Sequence, residues 1–214
     1  MRVTLSAAAT ADGYLDDNGP ERLMISTPKD WAAVLRLRGQ CDAILVGAET
    51  LRRDNPALLL RDEAVRERRR AAGLRPDIAK VVVTRSGKLD PALRFFTEGD
   101  ADRYVFSETE CNDLNTVAEV IQTKGSHTAA QIITALEKRG IRHLLVEGGA
   151  QILSMFLREG MADEVRLAVN PELRLGTDRG CTPFRFEAPA GAECRHERLG
   201  GMEVTHCTIH PDTT

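Results

Sequence analysis

The hydrophobic and polar positions of the chain fall into two kinds of segment that follow one another. Short apolar runs rich in branched residues are separated by segments whose apolar residues have helical spacing. Buried strands that alternate with helices are typical of an α/β sheet covered on both faces. We therefore predict an α/β fold whose strands include RVTLSAAA, DAILVG, KVVVTR, RYVFS, HLLVEGG and DEVRLAVNP.

Two of the predicted helices have well-marked ends. Thr27 is the expected N-cap of the first, a proline follows it, and Gly39 marks its end. The second is expected to begin near Thr128, with Gln131 placed for a capping box, and to stop at Gly140. The strand HLLVEGG follows at once, which favours a βαβ crossover.

The pattern changes after Asn170-Pro171. Glycine and proline become frequent, and RHERLGGMEVTHCTIH then predicts two strands joined at Gly200-Gly201, which is typical of an antiparallel hairpin. The sheet should therefore be mixed but mostly parallel, with an antiparallel C-terminal hairpin. Nothing in the composition divides the chain, so we expect a single domain over residues 1–214.

The bulk composition limits the classes of function. Hydrophobic residues make up 42% of the 214 residues, charged residues make up 29%, and the formal net charge is −3. Such a chain has no excess of basic charge, so neither nucleic acid nor a membrane surface is an expected partner. The basic segment RDEAVRERRRAAG contains interleaved acidic residues and is predicted to be the solvated face of a helix. No apolar segment approaches the roughly 20 residues of a membrane span, and the N-terminus resembles no signal peptide, so a cytoplasmic protein is expected.

The five cysteines are widely scattered, odd in number and without a C-x-x-C pair. Free thiols in a reducing cytoplasm are the expected state. His206, Cys207 and His210 lie close together in sequence and are candidate metal ligands. An ordinary polar strand explains them better, because no third ligand pattern accompanies them, and no metal site is predicted.

The turn Glu147-Gly148-Gly149 lies between a predicted strand and a helix that begins near Ala150. Such a turn presents backbone N–H groups at a helix N-terminus, where they and the helix dipole favour a pyrophosphate; a turn that serves only packing is the alternative. A carboxylate at the end of a buried strand lies where open α/β sheets bind ligands, so Glu147 is a candidate substrate contact. The chain has no G-x-G-x-x-G fingerprint, so any nucleotide must be bound differently.

A second candidate segment follows the strand that reaches Gly47. A short helical turn carries Thr50 and Asp54, and Asn55-Pro56 ends it. Residues four apart share one face of a helix, so Thr50 and Asp54 are placed to contact the same ligand. The alternative is that Asp54 and Asn55 only cap the turn.

Five motifs in order resemble one known family: A-T-A-D-G at 9–13, V-G-A-E-T-L-R-R-D-N-P at 46–56, V-E-G-G-A at 146–150, D-E-V at 163–165 and N-P at 170–171. Together they resemble the pyrimidine reductases of riboflavin biosynthesis, a dihydrofolate reductase-like family found alone or fused behind a deaminase. The deaminase motifs H-x-E and P-C-x-x-C are absent, so deamination is not expected from this chain.

The resemblance implies a three-layer α/β/α fold, a homodimer and NADPH as the cofactor. The implied reaction reduces the ribosyl group of a ribosylamino-pyrimidine 5′-phosphate to ribityl. One alternative is an NADPH-dependent reductase of a pterin or dihydrofolate. Another is a non-catalytic sensor that binds NADPH.

The resemblance also assigns roles to residues. Glu147 and Asp54 are the titratable candidates for catalysis, although binding roles with water as the proton source are preferred. Around the substrate it implies Arg38, Leu58 and Arg61 at the phosphoribosyl group and Glu147 at the pyrimidine, and Arg22 is a further candidate because it occupies the position of a family hydroxyl residue. Around the cofactor it implies Ala8, Thr50, Asp54, Arg85, Ser86, Gly148, Gly149, Ala150, Gln151 and Ile152.

The sequence departs from the family pattern just before the first helix. Family members have serine or threonine and then tryptophan two positions later, whereas this chain has Arg22 and Met24. Substrate choice is the property that this difference is expected to affect.

Overall fold

A computed structural model of the protein describes residues 1–17, 19, 23–123, 125–178 and 183–209. Arg22, His210 and one of the five cysteines, Cys181, lie outside the described residues.

One nine-stranded sheet organises the described chain. Its strand order is β5-β4-β3-β2-β6-β1-β7-β9-β8. Pairing is parallel from β5 to β7, and antiparallel between β7 and β9 and between β9 and β8. The strands are β1 Arg2–Thr10, β2 Ala43–Gly47, β3 Ala79–Thr84, β4 Arg103–Ser107, β5 Glu119–Gln122, β6 His143–Gly148, β7 Glu164–Asn170, β8 Glu193–Leu199 and β9 Met202–Thr208.

The helices cover both faces of this sheet. They are α1 Pro28–Arg38, α2 Ala48–Asp54, α3 Glu63–Ala71, α4 Arg94–Thr97, α5 Ala129–Glu137 and α6 Ala150–Arg158. On one face, Leu136 of α5 and Phe156 of α6 join the core cluster that contains Leu5 of β1. On the other face, Leu51 of α2 and Phe95 of α4 join a second core cluster. The predicted three-layer α/β/α fold, with a mostly parallel mixed sheet, is confirmed.

The predicted caps explain where two helices begin. The Thr27 side chain accepts a hydrogen bond from the backbone N–H of Asp30, and a proline opens α1. Thr128 and Gln131 form the reciprocal bonds of a capping box at the start of α5. That helix ends at Glu137, three residues before the expected Gly140, whose φ is +81°. The C-terminal hairpin also has the predicted turn, because Leu199 pairs with Met202.

Two peripheral elements differ in how well the sequence predicted them. The segment of α3 is helical and has no buried residue, which confirms a solvated helix. The edge strand β5 was not predicted, because its four residues are exposed or half-buried and carry no apolar run. A short edge strand of this kind depends on pairing with its neighbour β4 for its conformation.

The expectation that all cysteines are free thiols was wrong for one pair. Cys194 of β8 and Cys207 of β9 form a disulfide across the hairpin, with their Cα atoms 4.1 Å apart. Cys41 and Cys111 are free and buried. The disulfide removes Cys207 from any set of metal ligands, and His206 contacts the carboxylate of Glu197 at 3.0 Å. Within the described ranges, no three His, Cys, Asp or Glu side chains are grouped to bind a metal ion.

No helix among the described residues is both long enough and apolar enough to cross a bilayer.

A buried lysine ties β3 to the segment around α4. Lys80 has no exposed surface, and its Nζ donates hydrogen bonds to the backbone oxygens of Phe95 at 3.2 Å and Glu98 at 2.7 Å. Burial lowers the pKa of Lys80 to about 8, and the nearby charge of Arg103 acts in the same direction.

This lowered pKa predicts a stability that increases with pH. Between about pH 8 and 10.5 the unfolded chain retains the Lys80 proton that the folded protein has lost, so the free energy of unfolding should increase across this window. The slope should be at most about 1.4 kcal/mol per pH unit. Urea titrations at several pH values should give a flatter profile for Lys80→Met than for the wild type. The exposed Lys138, changed to Met, is the control, and identical slopes for Lys80→Met and the wild type would contradict the prediction.

Candidate active site

A cleft of about 1320 Å³ crosses the edge of the sheet at which the parallel strands end. Its lining includes Ala8 near the end of β1, Gly47 at the end of β2, Thr84 at the end of β3 and Gly148 at the end of β6. Open α/β sheets bind ligands at this edge, where the strands connect in opposite directions. The topology itself therefore predicts a ligand site in this cleft.

Two strand-to-helix turns face each other at the centre of the cleft. A Cβ atom added at Gly47 would lie 3.3 Å from Cγ1 of Ile152 and 3.6 Å from the backbone nitrogen of Gly149. Thr50 Oγ1 lies 3.9 Å from the position that a Cβ at Gly149 would occupy. The small residues thus allow the start of α2 and the start of α6 to approach each other closely.

The first turn of α6 is suited to bind an anion. Its N-cap is Gly149, which has no side chain to accept a hydrogen bond from the N–H groups of this turn. The preceding residue, Gly148, has φ +133°, a conformation that L side chains rarely adopt, and the Gly148–Gly149 peptide bond is cis. Free N–H groups and the positive end of the helix dipole together favour a phosphate here.

A β-bulge lies immediately before this glycine turn. Leu45 of β2 pairs with Val146, but the next residue, Val46, pairs with Gly148. Glu147 is therefore the extra residue of β6. Bulges at strand ends redirect a side chain, and here the Glu147 side chain lines the cleft.

Glu147 forms a buried ion pair with Arg38 at the end of α1. Arg38 donates from Nε to Oε1 at 2.7 Å and from Nη2 to Oε2 at 2.5 Å. The two side chains are only 8% and 12% exposed. Burial lowers the pKa of Arg38, but the facing carboxylate more than offsets this, so the net shift is upward. The Arg38 guanidinium also lies 5.0 Å from the ring centroid of Trp31.

This pair changes the expected roles of both residues. Arg38 and Glu147 were each predicted to contact the substrate, and a pair between them was not predicted. Both oxygens of Glu147 accept hydrogen bonds from Arg38, which suits a carboxylate that binds and orients a ligand. The two residues therefore function together, as one hydrogen-bonded ion pair.

The far end of the cleft lies beyond β3 and β4. Arg85 and Ser86 are exposed there, and Glu108 follows the end of β4. The ring of His127 bridges this region, with Nε2 2.8 Å from the backbone oxygen of Thr84 and Nδ1 2.9 Å from Thr123 Oγ1. His127 thus joins the end of β3 to the loop before α5.

The structure brings most of the predicted site residues together. Met24 also lines the cleft and is 66% exposed. Among the described site residues Arg61 is the exception: it is exposed, does not line the cleft, and its charge contributes to the lowered pKa of Glu98. The predicted residues in the lining are Ala8, Arg38, Thr50, Asp54, Leu58, Arg85, Ser86, Glu147, Gly148, Gly149, Ala150, Gln151 and Ile152.

Several lining residues were not predicted, and Trp31, His127 and Arg53 are among them. Trp31 precedes Arg38 by two helical turns on the same face of α1, so the spacing contained a usable signal. His127 follows a strand that was itself unpredicted. Arg53 lies inside the quoted 46–56 motif but was given no role.

Residues 1–201 match the RibD C-terminal domain family. The chain belongs to this family. The predicted family is thereby confirmed, on a match that covers 201 of the 214 residues of this chain.

Two archaeal proteins are similar to this RibD C-terminal domain along most of their length, and both are named 2,5-diamino-6-ribosylamino-4(3H)-pyrimidinone 5′-phosphate reductase. The protein from Archaeoglobus fulgidus is 29% identical over 211 residues, which cover 95% of this chain and 96% of the relative. The protein from Methanothermobacter thermautotrophicus is 30% identical over 182 residues, which cover 82% and 80% respectively.

Solved structures of similar proteins agree with the fold. The Thermotoga maritima diaminohydroxyphosphoribosylaminopyrimidine deaminase/5-amino-6-(5-phosphoribosylamino)uracil reductase is 25% identical with a TM-score of 0.78; the match covers 97% of this chain and 56% of the T. maritima chain. The riboflavin biosynthesis reductase Rib7 of Saccharomyces cerevisiae matches with a TM-score of 0.73 at 16% identity, over 98% and 90% of the two chains. The predicted reductase function agrees with the names of these relatives.

Proposed function

We propose that this chain is an NADPH-dependent oxidoreductase of riboflavin biosynthesis that reduces the ribosyl group of a ribosylamino-pyrimidine 5′-phosphate to ribityl. One observation carries the proposal. A helix N-terminus suited to a pyrophosphate and a buried Arg–Glu pair suited to a polar substrate lie in one cleft, and Glu147 of the pair precedes the helix N-cap, Gly149, by two residues. The names of the full-length relatives support the same reaction.

The cofactor side of the cleft fits a dinucleotide phosphate. The N–H groups of Gly149, Ala150 and Gln151 open α6 and would bind the pyrophosphate. Thr50 and Asp54 of α2 line the same cleft and would contact the cofactor, and Ala8 would lie by the nicotinamide. Arg85 and Ser86 would contact the 2′-phosphate, for which a guanidinium and a hydroxyl are suitable donors.

The substrate side fits a polar base with a phosphorylated sugar. Glu147 would accept hydrogen bonds from the pyrimidine, while Arg38 supplies positive charge beside it. Leu58 provides an apolar contact in the lining. Arg22 and Arg61 remain predicted phosphate contacts. Arg61 would have to reach the ligand from outside the lining.

The contribution of the protein to the reaction is orientation. The N–H groups of residues 149–151 would hold NADPH, which would supply the hydride for reduction at C1 of the imine form of the sugar, while the imine nitrogen would take its proton from water. The Arg38–Glu147 pair orients the base, and the turn at 148–150 orients the cofactor against it. Holding two reactants in a fixed geometry is a large part of hydride-transfer catalysis.

The diamino pyrimidine is the first substrate to test, because the relatives that this chain matches along most of their length carry that name. We also propose a homodimer, as the family resemblance implies, and a cytoplasmic location, as expected from the sequence. Neither assignment is needed for the chemistry of the cleft.

The proposal predicts NADPH oxidation that depends on a phosphorylated ribosylamino-pyrimidine. Absorbance at the NADPH maximum would be followed with the diamino substrate, the deaminated substrate and dihydrofolate in separate assays. Turnover with one of the two pyrimidine phosphates and none with dihydrofolate is the expected result. The single tryptophan, Trp31, lines the cleft, so its fluorescence gives an independent measure of NADPH binding.

Each of the other outcomes would indicate a different function. Turnover with dihydrofolate alone would make it a pterin-type reductase. Tight NADPH binding without any turnover would make it a sensor. Arg61→Ala tests the predicted contact outside the lining: an unchanged KM for the pyrimidine phosphate would remove Arg61 from the substrate site.

A further inference from the structure

We infer that Arg53 is a positioning residue. It fixes the loop after β1, which contains Asp16, Asp17 and Gly19, against α2, the helix proposed to contact the cofactor. The inference rests on the proposed function for its kinetic consequences. Its structural content, a four-point contact between α2 and this loop, stands on its own.

The Arg53 guanidinium contacts three residues of the loop, Asp16, Asp17 and Gly19. Nη1 donates to the backbone oxygen of Asp17 and lies 3.1 Å from Oδ2 of Asp16. Nη2 donates to Oδ1 of Asp17 at 2.9 Å and to the backbone oxygen of Gly19 at 2.8 Å. Two carboxylates and two carbonyls are thus held by one side chain.

The contact is largely shielded from solvent. The Arg53 side chain is 18% exposed and that of Asp17 is 7% exposed. A charge-assisted pair in such an environment is screened much less than a surface pair. The loop is also shaped around Asp17, because its Oδ1 accepts a hydrogen bond from the N–H of Gly19 at 2.9 Å.

The helix that carries Arg53 is itself rigidly placed. Leu51 of α2 has no exposed surface and belongs to the core cluster on that face of the sheet. Thr50 and Asp54 of the same helix line the cleft. Arg53 therefore links the loop after β1 to a helix that is anchored in the core.

The loop forms a wall of the cleft. Leu15 and Asp16 belong to its lining, and so do residues 23–26, which lead into α1. Because α1 carries Trp31 and Arg38, this wall lies on the substrate side of the site. Arg53 thus joins the side proposed for the cofactor to the side proposed for the substrate.

The chemistry of arginine explains why this residue type is suited to the role. A planar guanidinium presents several donors in a fixed fork, so it can bind carboxylates and carbonyls on neighbouring residues at once. A lysine ammonium at the same position would be a single point charge. We therefore expect Arg53→Lys to recover only part of the function lost in Arg53→Ala.

The test combines hydrogen exchange with kinetics on the full chain. In Arg53→Ala, the amides of residues 15–19 should exchange at least about fivefold faster than in the wild type. The KM for the pyrimidine phosphate should increase about tenfold, while the NADPH dissociation constant measured by Trp31 fluorescence stays within about twofold. Arg68→Ala, on the exposed helix α3, is the matched control and should change neither.

The outcomes separate the inference from the proposed function. Unchanged exchange at 15–19 overturns the contact itself, whatever the enzyme does. Faster exchange with a lower melting temperature but an unchanged KM overturns the positioning role and leaves only a structural one. If the wild type turns over no pyrimidine phosphate, the proposed function fails, and the exchange data alone decide whether Arg53 fixes the loop.

Discussion

Arg38→Met is expected to lower kcat/KM for the pyrimidine phosphate by at least about 100-fold and the free energy of unfolding by about 3–5 kcal/mol. The substitution nearly preserves the volume of the side chain but leaves the Glu147 carboxylate, only 12% exposed, without its two donors. The measurements are steady-state kinetics and urea denaturation at pH 7. Both effects have the same origin, which is a buried charge that has lost its partner.

A second variant separates stability from activity. Adding Glu147→Gln to Arg38→Met removes the unpaired charge, so stability should largely recover while kcat/KM stays low. Arg139→Met is the control, since its pair with Glu119 is more exposed and should be worth at most about 1 kcal/mol. Full activity in the stable double variant would contradict a role of the pair in substrate binding.

Gly148→Ala is expected to weaken NADPH binding by at least about tenfold and to destabilise the fold by about 1–3 kcal/mol. No heavy atom lies within 4 Å of a Cβ built at Gly148, so a steric clash is not the cause. The cause is φ +133°, which alanine can adopt only with strain. Relief of that strain would move the N–H groups that open α6. Quenching of Trp31 fluorescence on NADPH addition measures the effect.

Gly160→Ala provides a matched control for this prediction. Gly160 also has a positive φ, +63°, and no atom within 4 Å of an added Cβ, but it follows the other end of α6. Its substitution should cost about 1 kcal/mol of stability and leave NADPH binding unchanged. Equal loss of NADPH binding in both variants would attribute the effect to general destabilisation.

The fold was predictable wherever a local pattern determines it. Apolar runs identified the buried strands, and the caps at Thr27 and Thr128 identified two helix starts. The disulfide was also within reach of the sequence. A hairpin that turns at Gly200-Gly201 places Cys194 directly opposite Cys207, since both are six residues from the nearer glycine. The spacing between the cysteines does not reveal this disulfide unless the register of the hairpin is also considered.

The site was predictable only in part. Family motifs located the two glycine-containing turns, because each lies within a short stretch of chain. The contact between Arg38 and Glu147 joins residues 109 positions apart, and no local pattern reports such a contact. The same applies to the contacts of Arg53 with the loop after β1, and to the bridge that His127 makes to Thr84, 43 positions away.

The bulge in β6 has a consequence for how accurately the proposed reactants are aligned. Glu147, expected to contact the pyrimidine, and Gly149, expected to contact the cofactor, are separated by a single residue. Their Cα atoms can therefore be no more than about 7.6 Å apart, a limit set by covalent bond lengths. Relative motion of neighbouring helices can open or narrow the cleft, but it cannot separate these two contacts. The protein groups that contact the two proposed ligands would thus stay within a short distance of each other whatever the neighbouring helices do.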